Sequence, residues 1–389
     1  MRNVYMDSNA TTRIDPQVVE AMSPFLSELW GNPSSMHAFG GQVKAAVDGA
    51  RQQVANLIGA SHPSEVVFTS CGTESDNTAI HSALQAFPQR RHIITSRVEH
   101  PAVRSVCHHL RRRGYRITEL PVDGDGGLDL VEYEESLTGD TALVSVMWAN
   151  NETGVTFPVK RMAAIAQKHG ILFHTDAVQA VGKIPMDLSQ SAINMLSISG
   201  HKLHAPKGVG ALYIKKGTPF RPFIRGGHQE NGRRAGTEPV HQLVALGKAA
   251  EVAKAHLEDE QTRVRALRDR LEKGLLESIP DSRVNGDREN RLPNTTNISF
   301  ESVEGEGILL LLSDAGVAAS SGSACTSGTL EPSHVLRAMG VPFNFAHGSL
   351  RLSLSRFNDE ADVDQVLEVL PPIISKLREI SPFYKPSSS

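Results

Sequence analysis

Between residues 65 and 214, short β-branched runs recur at the spacing a βα unit needs: EVVFTS (65–70), HIITS (92–96), RITELPV (116–122), ALVSVMWA (142–149), ILFHTDA (171–177), NMLSIS (194–199) and GALYI (210–214). Helix-length stretches such as SDNTAIHSALQAF and VKRMAAIAQKHG separate them. Strands joined by helices rather than hairpins predict an α/β fold, with a large, mostly parallel sheet flanked by helices on both faces. Ligands in such sheets gather at the carboxyl ends of the strands.

A chain of 389 residues exceeds the usual size of one hydrophobic core. From about 240 to 278 the pattern turns helical, with Val264, Leu267, Leu271 and Leu275 stepping by three and four along one apolar face. This reads as a linking helix into a smaller α+β unit, built from TTNISFES, GVAAS and SLRLSLS with helices GEGILLLLSDA and EADVDQVLEVLPPIISKLREI. The expected division is a large unit over 14–260 and a small one over 1–13 and 261–389.

The 40 basic and 43 acidic residues are interspersed, which points away from nucleic acid and from anionic membrane surfaces as partners. The RRR run at 111–113 reads as a solvated helix end. The N-terminus has no apolar leader segment, and no run approaches the roughly 20 apolar residues of a membrane span. Three cysteines without a CxxC pair argue for reduced thiols rather than a disulfide frame or zinc site. A cytoplasmic location is expected.

Four features carry chemistry. FTSCGTESDN is a strand, a glycine turn and a helix start, so amides after Gly72 and the Thr73 hydroxyl can cradle a phosphate, although an ordinary capped helix has the same look. ILFHTDAVQ puts Asp176 at the end of an apolar strand, where a carboxylate needs a cationic partner; Gln179 follows. SISGHKLHAPKG delivers Ser199, His201 and Lys202 as another strand leaves the core, a place for an amine of lowered pKa that forms a covalent bond to a carbonyl. His100, just past HIITS, can stack on a ring and move protons. Phosphate cradle, acid and lysine together are what pyridoxal phosphate requires. Outside this set, Cys325 stands among small residues in SSGSACTSG, while Cys71 and Cys107 read as buried small hydrophobes.

The motifs MDSNATT, NPSSMHAFG, TSCGTESDN, VEHPAV, WANNETG, FHTDAVQAVGK, SISGHKLHAPKGVG, RGGHQENGRRAGTE, SSGSACTSG and LRLSLSRF together resemble the cysteine desulfurases, pyridoxal-phosphate enzymes of the class V aminotransferase group, and most closely their nitrogenase-associated branch. The resemblance runs from about residue 5 to 384. It implies that Lys202 binds the cofactor's aldehyde and Asp176 its ring nitrogen. Gln179 and Asn151 would lie at the ring hydroxyl, and His100 would stack on the ring as acid and base. Gly72, Thr73, Ser199 and His201 would hold the phosphate, joined by Thr237 from the second subunit of a homodimer. Arg351, with Asn9, Ala10 and Asn151, would hold the substrate L-cysteine by its carboxylate.

Cys325 would take the sulfur as a persulfide, leaving L-alanine, and pass it to an iron–sulfur scaffold or another acceptor. No resident metal is implied; Cys325 could contact a nascent cluster in passing. Two residues depart from the family pattern: Ser8 stands where many relatives have Asn, and Pro239 where Asn is common. A selenocysteine lyase, another class V enzyme or a sulfur-carrier scaffold are the alternatives. His100 and Arg351 are the candidates for activating the thiol.

Overall fold

The structure, a computed structural model, describes residues 2–321 and 332–384. Its strands in chain order are β1 (Val4–Tyr5), β2 (Val66–Thr69), β3 (His92–Ser96), β4 (Arg116–Leu120), β5 (Thr141–Ser145), β6 (Leu172–Asp176), β7 (Met195–Ser199), β8 (Gly210–Ile214), β9 (Ser282–Val284), β10 (Thr295–Phe300), β11 (Val317–Ala318) and β12 (Ser349–Ser353). Seven of them form one sheet in the order β2-β8-β7-β6-β5-β3-β4. β8 runs antiparallel to both its neighbours, and the other pairs are parallel.

Burial explains the composition of the strands. β3, β5, β6, β7 and β8 are buried at every position, as strands covered by helices on both faces must be. Within this sheet, exposed and half-buried positions fall on β4, at its edge. One face packs against the helices Ala38–Ile58 and Val240–Ala255 through Val43, Val47, Val54, Leu243 and Leu246. The other packs against Gly72–Ala86 and Pro101–Arg112 through Ile80, Leu84, Val103 and Cys107.

A second core surrounds the antiparallel sheet β12-β10-β9. Val264, Leu267, Leu271 and Leu275, the expected stripe, are all buried in it. So are Leu350, Leu352 and Leu354, and Val363, Val366, Leu370 and Ile374 of the helix Glu360–Ile380. That helix runs through Pro371 and Pro372, where intrinsic cost is about 3 kcal/mol per proline; its buried apolar stripe outweighs the local penalty. Val4 and Met6 belong to this second core, whereas Val335, Leu336 and Met339 pack with the first. The division at 13/14 and 260/261 remains a proposal.

The helical stretch 240–278 is not one rod. Val240–Ala255 ends at His256, a π turn spans Glu260–Val264, and Arg265–Ser278 continues. ALVSVMWA likewise leaves the sheet early, after Ser145. Beyond it, Asn150 accepts from the amides of Glu152 and Thr153 and folds WANNETG into a turn above the strand ends.

Candidate active site

The sheet order reverses beside β3: the chain steps outward to β4, then returns inside to β5, β6 and β7. A cavity of about 400 Å3 opens there, at the carboxyl ends of the strands. Twelve of the expected residues line it: Asn9, Ala10, Gly72, Thr73, His100, Asn151, Asp176, Gln179, Ser199, His201, Lys202 and Arg351.

The helix Gly72–Ala86 opens directly after β2. The Ser75 hydroxyl donates to Ala211 O (3.1 Å) and lies 2.8 Å from Thr69 Oγ1, pinning the first turn to β8 and β2. Glu74 accepts from Ser70 N (2.8 Å) and pairs with Arg234 (2.8 Å), so its charge is spent on the flank. The amides that open any helix lack intrahelical acceptors, and at Gly72 no side chain covers them: a Cβ would sit 2.8 Å from Val178 Cγ2. Gly72→Ala is therefore expected to crowd the cradle and weaken retention of a phosphate-bearing cofactor by about tenfold, read as the cofactor-to-protein absorbance ratio after gel filtration.

Asp176 ends β6 and is 7% exposed. Its Oδ1 accepts from Val178 N (2.9 Å). Burial pushes the carboxyl up, opposed by His100 and Lys202, so a cation in the cavity is what would hold it ionised. His100 caps the helix Pro101–Arg112: its Nδ1 accepts from Ala102 N (3.2 Å), which leaves the proton of the neutral ring on Nε2. Burial lowers its pKa.

β7 ends at Ser199, and the tight turn Gly200–Lys202 presents His201 and Lys202. His201 Nδ1 lies 3.2 Å from Thr11 Oγ1, and burial with the adjacent Lys202 pushes the ring down to about 4. Lys202 Nζ donates to Asn9 O and to Ala10 O (2.7 Å for the latter). Burial, then the like charges of Lys183 and Arg351, bring this amine down to about 7, so near neutrality a large fraction is the free base. Gln179 Nε2 donates to Asn9 O (3.0 Å), and Asn9 Nδ2 to Thr295 Oγ1 (2.9 Å) and Asn151 O (3.2 Å). The segment around Asn9 is thus clamped between the two cores.

Arg351 stands on the polar side of β12, in SLRLSLS. The polar face of β12 is not solvated: Arg351 is 5% exposed, and Ser353 is fully buried. Its NH2 pairs with Asp7 (2.7 Å) and its NH1 donates to Asn151 O (3.0 Å), while Nε is buried with no hydrogen-bond partner among the described residues. Nε and the remaining terminal hydrogens stay available for an incoming carboxylate.

Several site residues escaped the sequence reading. Asp7 did, although it sits in MDSNATT. Cys71 is half-buried and lines the cavity, so it is not a core hydrophobe; Cys107 is, with burial pushing its thiol up to about 12. Asp76 also lines the cavity, 3.6 Å from His174 Nε2. Burial and then Asp176 push Asp76 well above the carboxylate range, and burial holds His174, whose ring nitrogens meet Ser145 and Ser197, at about 3. His174 is therefore neutral, and burial disfavours the charged form of Asp76 beside Asp176. The available signal was position: Asp76 shares its helical stripe with Ala79, Ile80 and Ala83, all buried.

Thr237 is exposed and lies outside this cavity. Cys325 lies outside the described residues. Ser320 and Ser321, which precede it, line the cavity, and Ser320 exchanges backbone hydrogen bonds with Arg351. Among the described residues no group of three or more His, Cys, Asp or Glu could hold a metal ion, and no helix is long and apolar enough to cross a membrane.

The donor set fits pyridoxal phosphate: an uncovered helix start for the phosphate, a buried acid for a protonated ring nitrogen, and an amine of lowered pKa for the aldehyde. The family model for class-V aminotransferases matches residues 4–366. Cysteine desulfurase NifS of Azotobacter vinelandii is 60% identical over 99% of this chain and 96% of its own. A cysteine desulfurase of Gluconacetobacter diazotrophicus is 61% identical with the same coverage. Among solved structures, a NifS-like protein superposes with a TM-score of 0.90 at 39% identity, covering 96% of this chain and 100% of its own. SspA in complex with cysteine gives 0.81 at 33% identity, covering 92% and 100%.

Proposed function

The chain belongs to the class-V aminotransferases and, within them, to the pyridoxal-phosphate-dependent cysteine desulfurases; from that premise we propose how its own residues carry the reaction and where the sulfur goes. The substrate is L-cysteine. The observation that carries this reading is one cavity in which Lys202, Asp176, His100 and Arg351 meet Ser320 and Ser321, the described start of the segment that contains Cys325. Cys325 follows Ser321 by four residues, a tether of at most about 14 Å in extended chain.

When bound, pyridoxal phosphate supplies an electron sink that makes the substrate Cα–H acidic. Gly72 and Thr73 would hold its phosphate with Ser199 and His201, Asp176 would favour a protonated ring nitrogen, and Gln179 with Asn151 would lie at the ring hydroxyl. Arg351 fixes the substrate carboxylate, with Asn9 and Ala10 as the adjoining wall. Lys202 Nζ, a free base near neutrality, accepts the Cα proton. His100, whose Nε2 carries the proton of the neutral ring, would serve as a proton donor in the cavity. Cys325, as thiolate, forms the S–S bond to the substrate sulfur; the Cβ–S bond breaks, its electron pair stays with the carbon skeleton, and protonation there gives L-alanine. The persulfide remains on Cys325.

Arg351→Ala is expected to raise the KM for cysteine about 10- to 100-fold, the loss of a charge-assisted carboxylate contact, read from alanine formation at varied cysteine concentration with the cofactor still bound. Thr237 is assigned to the cavity of a second subunit. Its exposure supports that assignment, as does an apolar surface of Leu26, Trp30, Met36 and Phe39, in which Trp30 and Phe39 lie 5.8 Å apart. The sulfur is proposed to feed iron–sulfur cluster assembly, in particular that of nitrogenase; the motif resemblance and the relative named NifS support this. Stoichiometric alanine and sulfide from cysteine and a thiol test the activity. Loss of growth on dinitrogen, but not on ammonium, after deletion of the gene tests the destination.

A further inference from the structure

Behind Lys202 lies a small cavity of about 20 Å3, room for one water molecule. Ser8, Thr12, Lys183, Lys202, His204 and Glu260 contribute to its wall. Two of these ionisable groups have no task in the reaction as described. Lys183 and Glu260 are each 6% exposed. Lys183 Nζ donates to Gln179 O (3.3 Å) and Gln179 Oε1 (3.4 Å). Glu260 opens the π turn Glu260–Val264, and its Oε2 is buried with no hydrogen-bond partner among the described residues. Inserted turns of this kind recur at functional sites.

A buried ammonium and a buried carboxylate persist only as a pair. Burial brings Lys183 down to about 8 and Glu260 up to about 7, and each opposes the other's shift. Near neutrality Lys183 is mostly charged and Glu260 partly so, and where both are ionised one water in the cavity can bridge the Lys183 ammonium to Glu260 Oε2. The remaining charges facing the pair are Arg351 toward Lys183 and Arg356, Asp259 and Arg263 toward Glu260; His204 on the wall is neutral, pushed by burial to about 3.

The pair reaches Lys202 in two ways. Because Gln179 Oε1 accepts from Lys183, its Nε2 must point to Asn9 O, the carbonyl that also receives Lys202 Nζ. After burial, Lys183 is the leading charge acting on Lys202, ahead of Arg351, with Asp7 and Asp176 acting in the opposite sense. His100 and His201 also feel Lys202 and, with lowered pKa values, add little charge above neutrality.

We propose that the buried Lys183–Glu260 pair is a positioning device for the reaction: Lys183 fixes the Gln179 amide and places a positive charge behind Lys202, favouring the unprotonated nitrogen there, and Glu260 holds that charge in place. The inference rests on the reading that Lys202 carries the cofactor. The test is a pH titration of the visible absorbance of the holoenzyme, combined with borohydride reduction and peptide mass measurement to locate the cofactor. Lys183→Met should move the spectral midpoint upward by about one pH unit, whereas Lys183→Arg, which keeps the charge, should leave it near the wild-type position.

Glu260→Gln should move it the same way as Lys183→Met, because Lys183 without its counter-charge gives up its proton; this variant carries the test if Lys183→Met does not fold. A purely structural role would lower thermal stability without moving the midpoint. Unchanged midpoints in folded variants whose cofactor is fixed on Lys202 overturn the inference alone. A wild-type cofactor fixed elsewhere than Lys202 overturns the underlying reading and the inference with it.

Discussion

Lys202→Ala is expected to lose alanine formation from cysteine by about ten-thousand-fold or more, together with the visible band of the lysine-linked cofactor. Two functions go at once. The cofactor loses its covalent anchor, and the base that takes the Cα proton disappears. The neighbouring rings are poor substitutes: the neutral His100 accepts the Ala102 amide through Nδ1 and so carries its proton on Nε2, and His201 is pushed down to about 4. Lys183 is buried on the far side of Gln179 and bound to it. The measurement is alanine release alongside the visible spectrum; an unchanged spectrum in the variant contradicts the assignment.

Cys325→Ala is expected to separate the two halves of the site. The cofactor should remain bound with a wild-type spectrum, because Gly72, Asp176 and Lys202 are untouched, and addition of cysteine should still perturb that spectrum. Sulfur release should fall to background, about ten-thousand-fold or more, as when a covalent nucleophile is removed. The other cysteines do not substitute. Cys107 is fully buried and its thiol is pushed up to about 12. Cys71 does line the cavity, which makes the result informative: persistent sulfur release in Cys325→Ala that vanishes in the Cys71→Ala, Cys325→Ala double variant would move the nucleophile to Cys71.

The sheet was legible because strands covered by helices on both faces are buried throughout and rich in apolar and β-branched residues, and HIITS and GALYI coincide with β3 and β8 at both ends. The order β2-β8-β7-β6-β5-β3-β4 was not, since strand pairing depends on contacts distant in sequence. Lys202, Asp176 and His100 could be read from their places at strand ends. Arg351 could be read as a residue type on a polar face, but alternation cannot say whether that face meets water or a site; packing against Asp7 and Asn151 decides it. Asp76 hid as one more acid in a helix, although its position on the buried stripe was visible. The Lys183–Glu260 pair left no local pattern: it exists because the turn after β6 and the break in the 240–278 helix meet in space.

The central claim is that sulfur leaves cysteine onto Cys325 with Lys202 holding the cofactor. Its most direct test is to incubate the wild-type protein with L-cysteine without added thiol, digest it under non-reducing conditions and weigh the peptide that contains Cys325. The account predicts a peptide heavier by one sulfur atom, present in the wild type and absent from Lys202→Ala. A Cys325 peptide of unchanged mass while alanine accumulates would contradict it.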